Sequence, residues 1–330
     1  MKRKIIKQGH STLTITLPSA WVKRFNLSSG KEININEKDN GLFISAEKYQ
    51  ENKRAEIDIS NMDVPTIWKY LMAVYREGYD EVLIKFQPES MIENPYKFFC
   101  THKLDLKYKR ESQKKPVLEA IQGFVSRFIG FEIIEHGKDF VLIREMGEPS
   151  SKEFDNSLRR VFLIVEQMSE ETLEAITTNN PKILMRMHDV DINLDKFQDY
   201  CVRILNKIGN KEPRKASLLF SIIYFLELIG DEFKTMSHHL VYDFSEGEWS
   251  DIKDIGESIN SQIKLFYELF YKYDLEKVEK ISELDQKRYF SVSEKYKTCK
   301  NEETKEIFHH LRVISRYLNS LVELRIEMEF

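Results

Sequence analysis

Glycine and proline are scarce in this chain, 12 and 8 among 330 residues. So few breakers exclude a loop-dominated or collagen-like protein and point toward long helices. Cysteine is scarcer still. Cys100, Cys201 and Cys299 are odd in number and far apart, with no C-x-x-C pair. That argues against a disulfide framework or a zinc ribbon and fits a reducing cytoplasm. Long apolar runs are missing too. The most apolar stretch, Leu218 to Leu226, contains Ser221 and is far too short to span a bilayer. The start of the chain has no continuous apolar segment of the signal-peptide kind, so a cytoplasmic protein without membrane insertion is expected. Motifs of catalysis are equally sparse. Ser29-Gly30-Lys31 has Phe25 where a phosphate-binding loop needs its upstream glycine, and neither H-E-x-x-H nor G-x-S-x-G occurs. The expectation is that the protein is not an enzyme.

Acids are absent from the first 31 positions. Lys2, Arg3, Lys4, Lys7, Lys23, Arg24 and Lys31 all precede the first one, Glu32. The whole chain carries a net charge of −4, which hides this asymmetry. Setting those seven cations aside from the total of 50 leaves 43 Lys and Arg against 54 Asp and Glu. A basic head on an acidic body suggests that the head alone meets a polyanion.

The head has a definite pattern. Apolar and polar residues alternate from Leu13 to Leu17, the period of a half-buried strand. Pro18 stops that strand and presets φ for a short helix over Ser19 to Phe25. Gly30 ends the turn, Glu32 to Asn36 alternates again, and Asp39-Asn40-Gly41 signals a hairpin returning through Leu42-Phe43-Ile44. A unit this small cannot bury enough apolar surface alone and needs a partner. The pattern Lys7-x-Gly9-x-Ser11, then Thr16-Leu17-Pro18, Trp21-Val22, Leu27, Gly30 and Ile33 resembles the AbrB/SpoVT/MazE family of swapped-hairpin DNA-binding domains. The resemblance covers residues 1 to about 48. It implies a homodimer in which two copies interleave strands into one small β-barrel and offer double-stranded DNA a basic surface. Lys23 and Arg24 stand where well-studied members place arginines after the helix, with Lys2, Arg3, Lys4 and Lys7 as further contacts. Thr14 replaces the strand arginine of some members. Lysine outnumbers arginine in the head, which favours phosphate contacts over bidentate guanine readout.

Residues 49–150 read as a small α/β domain. Ala55 to Ile59 alternates as a strand, and Asp63-Val64-Pro65 opens a helix carrying Ile67, Leu71, Val74 and Tyr75. Gly78 ends it before a second strand, Glu81 to Phe86. Residues 87 to 115 read as irregular. An amphipathic stretch from Pro116 to Phe128 precedes two strands around Gly137, Phe131 to Ile134 and Phe140 to Ile143. Gly147-Glu148-Pro149-Ser150-Ser151 is the best linker candidate.

From Phe154 onward the apolar period becomes helical, and residues 151–330 read as packed antiparallel helices. Leu158, Val161, Val165 and Met168 form one stripe, and Leu184, Met187, Leu194, Phe197, Cys201 and Leu205 another. A third runs from Leu219 through Ile222, Leu226, Ile229 and Phe233 to Met236. Further stripes at Ile252–Phe266 and Ile307–Leu321 suggest two halves of three helices, hinged at Glu246-Gly247. The fold class is therefore α+β, mainly α.

Two acid pairs stand out. Asp191 and Asp195 are four apart, as are Glu227 and Asp231, so each pair shares one helix face. His188 lies one turn before the first pair. Gly230 in mid-helix costs about 1 kcal/mol relative to alanine, so some close approach should compensate. Four carboxylates on adjacent helices repel, and a hard divalent cation or iron relieves the repulsion. The plainer reading is that the acids face water or pair with Lys182, Arg186 or Lys234; spacing alone favours it. The Leu226-Glu227-Leu228-Ile229-Gly230-Asp231 stretch and the two acid pairs resemble the PhoU family, over about 154–330. That family's three-helix repeats carry acid-x-x-x-acid motifs that hold a multinuclear metal cluster. The resemblance implies metal ligation by Asp191, Asp195, Glu227 and Asp231, and regulation of phosphate uptake. In the second half, Arg312 and Arg316 stand where the acids would be. Two functions follow as expectations: a DNA-binding transcriptional regulator, or an adaptor for a phosphate-transporter ATPase or another regulator, with the head used only to dimerise.

Overall fold

The computed structural model describes the chain except for residues 1–2, 10–11, 39–40, 47–52, 95–112, 148, 209–212 and 243–248. Two compact units divide it, Met1–Asn52 and Lys53–Phe330.

In the first unit β1 (Ile6–Gln8) pairs antiparallel with β2 (Thr12–Thr14), Lys7 opposite Leu13. Pro18 caps α1 (Ser19–Arg24), and Gly30 takes the positive φ of +88° that the following turn needs. β3 (Asn34–Lys38) and β4 (Gly41–Ser45) form a second antiparallel pair. The expected strand over Leu13–Leu17 is shorter than its alternation suggested, and the expected turn at Asp39-Asn40 lies outside the described residues. The two hairpins stay separate sheets, so no closed barrel forms within one copy among the described residues. The unit also lacks a core of its own: no described side chain in it is buried.

The second unit opens with a four-stranded sheet in the order β5-β6-β10-β9. β5 (Arg54–Asp58) and β6 (Glu81–Lys85) are parallel, joined by α2 (Val64–Arg76), whose stripe Ile67, Leu71 and Tyr75 is buried. Between them and the sheet's end lie two further elements, β7 (Met91–Asn94) and β8 (Gln113–Pro116), paired antiparallel. The irregular reading of 87–115 is thereby corrected at 91–94 and 113–115, while residues 95–112 lie outside the described residues. Gln113-Lys114-Lys115-Pro116 has no apolar residue to alternate, so its strand comes from pairing across the intervening chain rather than from local pattern. After α3 (Val117–Val125), β9 (Phe131–His136) and β10 (Phe140–Glu145) form the expected antiparallel pair, and β10 inserts beside β6.

Of the expected linker, Glu148 lies outside the described residues. Ser150 caps α4 (Ser151–Thr178): its hydroxyl accepts from Glu153 N at 3.2 Å, and Glu153 accepts from Ser150 N at 2.7 Å. A 3-10 turn (Pro181–Arg186) leads into α5 (Met187–Ile208), followed by α6 (Pro213–Tyr242), α7 (Trp249–Tyr271), α8 (Leu275–Thr298) and α9 (Glu302–Glu327). The predicted apolar stripes are buried, apart from the half-buried Phe197. The halves interlock, since α4 packs on α7 and α6 on α9. The expected hinge at Glu246-Gly247 lies outside the described residues. Gly230 meets the close approach its position demanded. A Cβ there would fall well inside van der Waals contact of Leu194 Cδ2 on α5.

Candidate functional site

Two places carry chemistry, one in each unit. In the first, Arg3, Lys4, Lys7, Lys23 and Arg24 are all exposed, while Lys2 lies outside the described residues. Lys23 and Arg24 occupy the last turn of α1, where the helix dipole favours cations. None of the five makes an ion pair among the described residues, so their charge is available to a polyanion. Lys31 is used locally, donating to Asn26 O at 2.9 Å.

The second place is the acid face of α5 and α6. The close packing of Gly230 against Leu194 brings the two helices together there, and two of the four predicted carboxylates, Asp191 and Asp231, meet at a lysine. Lys234, one turn beyond Asp231 on α6, donates to Asp191 Oδ2 at 2.8 Å and to Asp231 Oδ1. Asp191 is only 2% exposed. Burial raises its pKa, with Lys234 pulling the other way. Burial alone would lower the Lys234 ammonium, but Asp191 and Asp231 outweigh it and hold the lysine charged. Asp195, one turn along the same face, has a different partner. Its Oδ2 accepts from Arg127 Nη2 at 2.7 Å, and Arg127 comes from the turn after α3, lying over the Trp68 ring at 5.0 Å. Burial and the Asp191 charge raise Asp195, against Arg127. Glu227 is pushed up to about 7 by burial and by Asp231. His188 is half-buried, and burial lowers it.

The acid stripe of α5 runs one step further than the sequence reading took it. Asp199, one more turn along and 2% exposed, accepts from Arg76 Nε at 2.6 Å, while Gln198 Oε1 accepts from Arg76 Nη2 at 3.0 Å. Arg76 belongs to α2. In the opposite direction Arg203, wholly buried, leaves α5 and enters the sheet domain. It donates to Tyr75 O at 2.7 Å and Tyr79 O at 2.8 Å, pairs with Glu145 at 2.9 Å, and lies over the rings of Tyr75 and Phe131. Lys207 pairs with Asp80 and Glu145. Arg76, Arg127, Asp199, Arg203 and Lys207 were all missed from sequence. The only trace of them was the recurrence of acid at 191, 195 and 199.

Do these residues fit the metal that the PhoU resemblance implies? The donor chemistry is right, all hard oxygen. The geometry is not, because the position between Asp191 and Asp231 is held by the Lys234 ammonium. Among the described residues no group of three or more His, Cys, Asp or Glu is arranged to hold a metal ion. No described helix is long and apolar enough to cross a membrane.

No curated protein and no solved structure matches the chain significantly. Family models do match two segments. Both describe regulatory or antitoxin domains, and together they fit a regulator of phosphate homeostasis. The chain thus joins, at residues 6–53, a segment similar to the antidote–toxin recognition domain of the bacterial antitoxin MazE to one, at residues 158–239, that matches the PhoU domain.

Proposed function

We propose that the protein is a homodimeric, DNA-binding transcriptional regulator of phosphate homeostasis. One observation carries the reading: the N-terminal unit buries none of its described side chains while exposing five cations. Ile6 is 52% exposed, Leu13 66% and Leu42 65%, apolar surface that a second copy's interleaved strands would cover. Doubling the unit then doubles Lys7, Lys23 and Arg24 on one particle, and that charge suits the phosphates of a duplex. The helical body supplies the phosphate-linked role through its PhoU-like segment.

Fluorescence anisotropy of the full-length protein on duplex DNA, across a salt series, tests this. Six phosphate contacts per dimer predict a slope of log K against log salt of about −5. Lys23→Ala with Arg24→Ala removes four of them and flattens the slope by about 4 while leaving the dimer intact in light scattering. A dimer that ignores duplexes at low ionic strength would overturn the DNA reading and leave the head a dimerisation device for an adaptor that binds a transporter ATPase. A monomer would overturn both.

A further inference from the structure

We propose that Lys234 is the resident cation of the carboxylate cluster, standing in place of a divalent metal ion and excluding one. This goes beyond the proposed regulation and does not rest on it.

Geometry makes the case. A divalent ion shared by two carboxylates needs oxygens at roughly 2.0–2.6 Å. Asp191 and Asp231 project from facing helices toward one point, and Lys234 Nζ already stands there, 2.8 Å from Asp191 Oδ2 and in contact with Asp231. Ammonium and metal cannot share that point. Asp195 is likewise taken, by Arg127 at 2.7 Å, and Asp199 by Arg76 at 2.5 Å. Asp191, Asp195 and Asp199, successive acids along this face of α5, are therefore each matched by a cation of the same chain, drawn from three different parts of the fold. Asp191 still has one buried oxygen, Oδ1, without a hydrogen bond. That atom would become a ligand if the lysine were removed.

The chemistry of a lysine differs from that of a metal here. An ammonium carries one charge and three donors, so it neutralises a pair of acids without demanding a fixed coordination sphere. It cannot be stripped by chelators.

Equilibrium dialysis of the full-length protein against Mn²⁺, with metal content read by mass spectrometry, tests the proposal. After washing with EDTA the wild type takes up no stoichiometric Mn²⁺, and its melting temperature is the same with EDTA or with millimolar Mn²⁺. Lys234→Ala frees the carboxylates, and the variant binds Mn²⁺ at least tenfold more tightly than wild type, with a rise in melting temperature. Lys234→Arg keeps the exclusion. Wild type that binds Mn²⁺ as tightly as Lys234→Ala overturns the proposal, and so does a folded Lys234→Ala that gains no affinity. Should Lys234→Ala not fold, the wild-type measurement decides alone: a melting temperature raised by Mn²⁺ or lowered by EDTA overturns it.

Discussion

Gly230 occupies the middle of a 30-residue helix, where the absence of a side chain lets α6 approach Leu194 on α5. That approach sets the distance across which Lys234 reaches Asp191. Leu194 is wholly buried, so it has little room to turn away from an added methyl group. Gly230→Ala should therefore destabilise by about 1–3 kcal/mol despite the better helix propensity of alanine. Urea unfolding at neutral pH measures it, and an unchanged or higher midpoint would mean that Leu194 repacks. The sequence made this glycine suspicious by its position alone, since a mid-helix glycine needs a reason. It could not name Leu194 as the reason, because the contact joins two helices whose register only packing decides.

At the level of elements, caps decide where helices begin. Asp63 Oδ1 accepts from Thr66 N at 2.9 Å and starts α2, the helix that carries Arg76 to Asp199. The hydrogen bonds from Thr66 hold the Asp63 carboxyl below its usual range. A group whose folded pKa is depressed contributes stability above its unfolded value and loses it as pH falls through the folded one. Asp63→Ala should cost about 1 kcal/mol at neutral pH, and the gap to wild type should close once pH drops well below about 4. Thermal melts of both proteins at two pH values check this; a gap that persists in acid would assign the loss to something other than the cap. One such cap was legible, since Asp63-Val64-Pro65 reads as a helix start; the capping-box spacing of Ser150-Ser151-Lys152-Glu153 was passed over in favour of a linker. The long helices were legible because their apolar period repeats over many turns. The pair β7–β8 was not, since its strands are four residues each and Gln113-Lys114-Lys115-Pro116 has no apolar residue to alternate. The i, i+4 spacing singled out the four carboxylates and left Lys234 open as a partner, whereas the PhoU resemblance alone implied a cation from outside. Lys234 is three residues from Asp231, near enough to be weighed as a partner. Arg76 is 123 residues from Asp199, and nothing local connects them.

On the scale of the whole second unit, ionic contacts run both ways between the sheet and the helices. Arg76 and Arg127 reach from the sheet domain to α5, and Arg203 and Lys207 reach back. Of these four only Arg203 is wholly enclosed, its guanidinium lying against the Tyr75 and Phe131 rings while it binds two carbonyls and Glu145. Removing one partner of a buried pair costs roughly 3–5 kcal/mol because the other charge is left uncompensated. Surface pairs contribute about 0–1 kcal/mol. Arg203→Ala should therefore do more than lower stability: it should uncouple the two parts. In wild type, urea unfolding followed by helical circular dichroism and by Trp68 fluorescence, with Trp21 and Trp249 replaced by Phe, should give one coincident transition. In Arg203→Ala the Trp68 transition should move to lower urea and separate from the helical one, since Trp68 stacks on Phe128 inside the sheet domain. Lys277→Ala, which removes the pair between Lys277 and Glu268 at 2.9 Å, should leave the transitions together. Coincident curves in Arg203→Ala would show instead that apolar packing between α2 and α5 suffices to fold the sheet and the helices as one.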